Sequence, residues 1–493
     1  MKFLNCRIVL FGTVFLLLGV FVSALICGSL ILSICVPLAI FAGGLLITIF
    51  TKKYSFLVVC ICFCVGVSAF YIDRAIKFDG EIEGEYTIEA RVSEANANNR
   101  YVVDSVKLND NKTKGKFLIK GKDLEIGDEI KFTGKVTTLE LDVFDSYVTN
   151  YISDGVFYEV MSTSEIIVVG QGNMNFFERV RVKICKGIEK YLRLPDAGIV
   201  ESLIFGDKHN LSYDDKTVIN GIGLAHVFAI SGLHIGFIAG VVLYLLKKWN
   251  TPHLASLLIT TAILLLYGAL TGFPAGAKRA IIMMLVTGIA KVLPRRNDPI
   301  TTLSIAVGII VLTNPTELFD IGMIMSVSAV LGILIFYTPL LKVLVKICKH
   351  KVYVYFAKIL ATTITANLFV IPITFNVFNV FNVISPLGNI VILPFISVFF
   401  ILIAILSIAT AITSSAAFYF YYVRYPLFLV RKTSELLYSI PYSTITVNTM
   451  PIATIFYLLA LFLLFPHLNI PNKIRYPLSG ASMVAFLLCA IFI

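Results

Sequence analysis

Residues 221–240 read GIGLAHVFAISGLHIGFIAG. The run is apolar and long enough to enter a bilayer, yet it carries His226, Ser231, His234 and five glycines. Polar side chains at membrane depth are costly, so they face protein or water and mark a pathway or a site. Glycines let backbones approach closely and let a helix break where it lines a cavity. The pattern predicts helices that line a path rather than face only lipid.

The composition agrees. With 493 residues, 58% of them hydrophobic and 14% charged, and a mean hydropathy of +0.88, the chain is too apolar for a soluble protein. Lys2 and Arg7 precede an apolar run ending near Ile26, which imitates a signal peptide. A second apolar run begins right after Gly28-Ser29, which predicts a helical hairpin rather than cleavage. Ile26 before Cys27 is also wrong for a lipoprotein site. Eight of nine cysteines lie in or beside apolar helices and the polar insertion has none, so no disulfide framework is expected. Cys60, Cys62 and Cys64 read as small packing residues.

Apolar runs near 8–26, 29–50 and 55–71 predict three spanning helices. Lys2, Arg7, Lys52 and Lys53 would sit in the cytoplasm, which places the chain after Tyr71 outside. From about Asp73 to Val168 the pattern becomes period-2, as in EYTIEARVSEA and DEIKFTGKVTTLE, separated by Asn, Asp and Gly. Five or six antiparallel strands in a small OB-like barrel are expected. This segment holds 12 Lys/Arg against 19 Asp/Glu, while the rest of the chain holds 29 against 11. A net-negative domain is a poor general polyanion binder. One basic hairpin, with Lys112, Lys114, Lys116, Lys120 and Lys122, is a candidate phosphate contact; its alternative is a solvated hairpin. FFERVRVKICKGIEKYL (176–192) predicts an amphipathic helix on the bilayer surface.

Beyond it, basic breaks at Lys247-Lys248, Arg295-Arg296 and Lys342 to Lys351 alternate with apolar runs at 225–246, 253–270, 277–293, 299–313 and 321–337. Each break falls inside if the chain crosses at every run. Between 352 and 412, Pro372, Pro386 and Pro394 predict broken helices, one crossing plus a re-entrant pair. Arg424 and Arg431 would then lie outside on a surface helix. The fold class is a polytopic α-helical membrane protein with an inserted extracellular all-β (OB-like) domain. Its expected divisions are 1–72 (spanning helices), 73–168 (β domain), 169–195 (surface helix) and 196–493 (a multi-helix membrane domain).

Several segments together resemble the ComEC competence family, membrane proteins that carry single-stranded DNA inward. They are HVFAISGLHIG (226–236), YGALTGFPAGAKRAIIM (267–283), DPITTLSIAVGIIVLTNPTELFDIGMIMSVSAVLGI (298–333) and FNVISPLGNIVILPF (381–395). FDSYVTNYISDGV (144–156) resembles the segment closing the family's OB-like domain. Met325-Ser326 stands where the family prefers Leu-Ser. The six histidines, at 209, 226, 234, 253, 350 and 467, form no His-x-His-x-Asp-His cluster. The resemblance therefore implies the channel half without the family's metallo-β-lactamase-like nuclease domain. It also implies partners: single-stranded DNA, membrane lipid, an external DNA receptor, a separate nuclease and a cytosolic ATP-driven helicase-like translocase. The oligomeric state stays open.

Candidate path residues follow from chemistry. A polyanion crossing lipid needs a wet path with cations or backbone dipoles for phosphates and flat groups for bases. On a continuous helix His226 and His234 would lie about 80° and roughly 12 Å apart, too far to share a metal ion. Ser231 and both histidines read as lining or helix-packing groups, and the two remain open. Lys278-Arg279 stands at an outer helix end after Pro274 and Gly276, a candidate phosphate contact; the alternative is an ion pair with Asp320, Glu317 or Glu201. Asp320 also suits a helix start. Ser326 and Asn389, the latter as a re-entrant cap, complete the set. No cofactor, metal site or catalytic group is expected, and no motor. Gly115, Gly121 and Lys122 lack P-loop spacing, and Asp123 replaces Ser/Thr. The leading function is a DNA-translocating channel of the cytoplasmic membrane. The alternatives are a transporter of another anionic or lipid-linked substrate, or an intramembrane hydrolase using Ser231 and a histidine.

Overall fold

The computed structural model describes residues 8–26, 30–51, 54–96, 100–121, 124–139, 146–172, 174–207, 210–228, 230–293, 298–347, 350–378, 380–441, 443–446, 451–463 and 477–484. Lys122 and the basic pairs Lys52-Lys53 and Arg295-Arg296 lie outside these. In chain order the elements are α1 (Ile8–Leu25), α2 (Leu30–Thr51), α3 (Tyr54–Lys77), β1 (Gly84–Asn96), β2 (Arg100–Leu108), β3 (Asn111–Lys112), β4 (Lys116–Lys120), β5 (Asp128–Thr138), α4 (Ser146–Ser153), β6 (Val156–Ser162), β7 (Ile167–Gln171), α5 (Phe176–Tyr191) and α6 (Leu194–Phe205). Then come α7 (Tyr213–Gly221), α8 (Gly232–Lys248), α9 (His253–Leu270), α10 (Ala275–Val292), α11 (Pro299–Thr313), α12 (Ile321–Ile347), α13 (Lys351–Phe378), β8 (Val380–Asn382), α14 (Ser385–Val391), α15 (Leu393–Ile412), α16 (Phe420–Tyr438), β9 (Thr444–Thr446) and α17 (Pro451–Leu463). Among the described residues, six helical stretches are long and apolar enough to cross a membrane: Ile8–Leu25, Ser55–Lys77, His253–Leu270, Ile321–Lys346, Lys351–Phe378 and Leu393–Ile412.

The chain divides into two units, one of Met1–Leu211, Phe228–Ile324 and Ile403–Tyr421, the other of Ser212–Val227, Met325–Leu402 and Tyr422–Ile493. In the first, α1 and α3 cross where a Cβ on Gly19 would fall 2.2 Å from the Phe63 carbonyl oxygen, and one on Gly66 2.2 Å from that of Leu16. In lipid, where apolar burial drives little association, such close backbone packing holds helices together.

The alternating segment forms a closed ring. Strands pair in the order β1–β2–β4–β6–β5, and β5 returns to β1, with Ile88 opposite Phe132. β3 adds to β2 and β7 to β5 outside the ring. The period-2 pattern puts Ile88, Val92, Val103, Phe117, Phe132 and Tyr158 inside, where the Phe117 and Tyr158 rings stack at 4.6 Å. One pairing departs from the expected antiparallel order: β4 and β6 run parallel, with Phe117 opposite Tyr158. Parallel neighbours need a crossover, which β5 and α4 supply.

Helix α5 starts in a capping box, Asn175 with Glu178. Its apolar face differs from the expected lipid-facing one. Ile184 and Ile188 are buried, Lys183 Nζ donates to the Ala411 carbonyl (2.7 Å), and a Cβ on Gly187 would meet Thr410 and Ala417. Protein covers this face, leaving Arg179, Lys186 and Lys190 exposed.

In the second unit Pro372 lies inside α13, which runs on as one helix, and the Leu368 carbonyl, which the missing proline N–H would otherwise orphan, accepts from the Tyr457 hydroxyl (2.9 Å). Side chains can re-satisfy backbone groups that a membrane proline frees, so no break is needed there. Pro386 and Pro394 do stand at helix starts, those of α14 and α15. Arg431 grips Asp215 through Nε and Nη2, both at 3.0 Å, tying α16 to α7.

Candidate functional site

The opening motif does not form one helix. Ala225–Val227 is a single 3-10 turn in the second unit, and α8 begins only at Gly232 in the first. The cause is a capping box. Ser231 Oγ accepts from the Leu233 N–H (3.3 Å), and His234 at the third position accepts the Ser231 N–H at Nδ1 (3.3 Å). The 80° relation expected for His226 and His234 therefore does not apply. His234 is fully buried, and Ser231 Oγ lies 3.4 Å from its Nδ1. The polar pair starts a helix inside apolar surroundings, where unsatisfied N–H groups would be costly.

Packed on this start is the beginning of α10. A Cβ on Gly276 would fall 2.3 Å from the Ile230 carbonyl oxygen, so only glycine lets α10 reach the turn before Ser231. Three residues later comes Arg279, 6% exposed. Its Nη1 donates to Glu317 Oε2 (3.1 Å) and to Asp320 Oδ2. Asp320 also caps α12, accepting from the N–H groups of Gly322 and Met323 at 3.0 Å each. Of the ion-pair partners named from sequence, Glu317 and Asp320 engage Arg279. Glu201 does not: it is buried on α6, with Oε2 accepting from Asn210 Nδ2 (3.0 Å) and Oε1 without a partner among the described residues.

The same corner receives the β domain. Asn150 Oδ1 on α4 accepts from the Ile321 N–H (3.3 Å), and Asn314 Nδ2 donates to the Ser153 carbonyl (2.7 Å). Asn314 Oδ1 in turn accepts from Lys77 Nζ (3.1 Å) and Thr316 Oγ1 (2.8 Å). Next to Ser153 stands Asp154, whose side chain still reaches solvent. The protein packed around it, then the Glu94 and Asp320 carboxylates, raise its pKa from 3.8 to about 6 against the pull of Lys116 and Lys278. Lys278 is exposed and forms no hydrogen bond or ion pair among the described residues. The Lys278-Arg279 pair is thus split: the arginine is committed to carboxylates, the lysine is open.

The remaining candidates are dispersed. Lys114 binds Asp79 through its amide (2.6 Å) and Nζ (3.5 Å), and Lys116 pairs with Glu94 (3.0 Å), so these two lysines of the expected basic hairpin are neutralised. Lys112 and Lys120 are exposed. In the second unit His226 is exposed, with Nδ1 3.1 Å from the Gly223 carbonyl oxygen. Gly223, at φ +74°, abuts Ser385 at the start of α14, and Asn389 is buried inside that helix rather than capping it. Ser326 is half-buried on α12. Among the described residues no three His, Cys, Asp or Glu converge on a metal position.

Sequence reading missed Asn150, Ser153, Asp154 and Asn314 as site residues, although all four stand in quoted motifs. Their signal was polar residues flanking helix ends in an apolar chain. Nothing in the linear order says that positions 161 and 171 apart meet.

A family model described as "Competence protein" matches residues 203–469. The chain is 29% identical over 133 residues to ComE operon protein 3 of Bacillus subtilis, covering 27% of this chain and 17% of that protein. It is 26% identical over 148 residues to Recombination protein 2 of Haemophilus influenzae, covering 28% and 19%. The matched part thus spans less than a fifth of either relative's length. No solved structure matches. The family match takes in α8 to α17, with Ser231, His234, Arg279 and Asp320, and covers more than half of the sequence: the chain belongs to the competence protein family.

Proposed function

We propose that this chain is a channel for single-stranded DNA, carrying it across the cytoplasmic membrane in natural transformation. Membership of the competence family over residues 203–469 carries the reading. Polar groups gather where α8, α10 and α12 begin, among helices otherwise apolar, and an open lysine stands beside them. Passage is assigned to this chain, and catalysis is not. An external receptor, a nuclease in trans and a cytosolic ATP-driven helicase-like partner would supply capture, strand removal and force.

Deletion of the gene should leave labelled DNA bound at the cell surface and abolish its arrival in the cytoplasm. Normal cytoplasmic arrival in a deletion strain without a paralogue would refute the reading.

We read the barrel as an OB-like domain facing outward. A five-strand ring with one helix suits that class, and the loop charges suit the orientation. A cysteine placed at the exposed Asn111 should react with an impermeant maleimide in intact cells. Labelling only after lysis would reverse the orientation.

A further inference from the structure

We propose that Lys278 is a phosphodiester contact where the β domain meets the helices, and that Asp154 is the carboxylate that competes with phosphate for it. The inference rests on the DNA reading above and adds to it a specific contact and a competitor. Hydrogen bonds fix the two residues near one another. Ser153, the neighbour of Asp154, is held by Asn314, and Asn150 of the same helix by the Ile321 N–H. Asp320, preceding Ile321, is held by Arg279, the neighbour of Lys278. Short polar contacts thus run from the chain around Asp154 to the chain around Lys278. Both side chains reach solvent, so a ligand can meet them.

Among the described residues, the neighbouring charges are paired. Lys116 pairs with Glu94, Lys77 with Asp73 (2.6 Å), and Arg279 with Glu317 and Asp320. Among the described residues, Lys278 is thus left as an open cation here, and Asp154 as an open anion. The groups facing Asp154 are Glu94 on β1, Lys116 on β4, Lys278 on α10 and Asp320 at the start of α12. A carboxylate here repels phosphates and draws on Lys278; protonated, it does neither. With a pKa near 6, Asp154 makes this change between mildly acidic and neutral pH. The sign follows: phosphate binding should weaken as pH rises through about 6.

The test uses the purified full chain in lipid nanodiscs and a fluorescein-labelled single-stranded oligonucleotide, read by anisotropy at constant ionic strength from pH 5 to 7.5. The wild type should bind roughly three- to ten-fold more weakly at pH 7.5 than at pH 5. Asp154→Asn should keep the acid-side affinity throughout. Lys278→Ala should weaken binding at both ends of the range, flatten the profile and reduce the salt slope by about one. A wild-type pH profile in Asp154→Asn, as histidine titration would produce, overturns the proposal. So does wild-type affinity in Lys278→Ala, or absence of oligonucleotide binding by the wild type. The channel reading is judged separately, by uptake in the deletion strain.

Discussion

Arg279→Ala should lower the amount of folded protein in the membrane and, with it, DNA uptake. The guanidinium holds two carboxylates, Glu317 at 3% and Asp320 at 12% side-chain exposure. Removing it leaves two buried negative charges with no cation, a loss of about 3–5 kcal/mol in comparable buried pairs. That is a large part of a stability of roughly 5–15 kcal/mol. Arg279→Lys should recover only part, because the charge survives but a flexible ammonium stem lacks the rigid planar guanidinium that holds Nη1 between both acids. Adding Glu317→Gln to Arg279→Ala should recover more, since one uncompensated charge is gone. Membrane abundance by immunoblot and melting in detergent measure this. If Arg279→Ala accumulates normally and melts like the wild type while uptake is lost, the arginine acts on DNA and not on the fold.

Glu201→Gln should stabilise the protein in alkaline buffer and do little in acid. Helix α6 has 12 residues, too short to span the bilayer, and Glu201 is 3% exposed on it. Burial above all, with Glu189 and Asp207 nearby, raises the carboxyl from 4.5 to about 8, although the Asn210 amide and Arg181 act against the shift. Arg181 is paired with Asp207 at 3.1 Å, and among the described residues no cation pairs with Glu201. Because the folded-state pKa lies above the unfolded one, the neutral acid suits the fold. Below about pH 4.5 both states hold the proton and there is no penalty. Stability then falls as pH rises to about 8, where the loss levels off near 4–5 kcal/mol as an upper figure. Glutamine keeps the amide–oxygen contact and carries no proton to lose. Melting curves of the two proteins should therefore diverge with rising pH and meet near pH 5. Parallel curves across that range would show that Glu201 is not held as the neutral acid.

Helix placement was legible because apolar length is local information: the spans at 8–26, 253–270 and 299–313 stand within two residues of the helices found. The β domain was legible for the same reason, since alternation tells which side chains face inward. Alternation does not tell which strand lies beside which, so the parallel β4–β6 pair could not be read. The break at 221–240 was misread as a crossing from 225. Ser231 and His234 read as polar groups on a helix, when together they begin one. For Arg279 the sequence supplied three acids at comparable standing. Choosing Glu317 and Asp320 over Glu201 required the turn at 314–320 that brings the first two to α10.

The closed ring of strands also dictates an order of events in biosynthesis. β1 ends at Asn96, but its second neighbour β5 begins only at Asp128, and the parallel partner of β4 is not complete until Ser162. No ring can close until nearly 80 residues have emerged beyond Gly84. At a synthesis rate of about 5–20 residues per second, β1 waits several seconds with one edge unsatisfied. Pairing over such long chain separations is slow in itself. During that interval the nascent segment is open to proteases and to other strands. Helices α1 and α3 precede it, and their glycine crossing can form before the first strand finds its last neighbour.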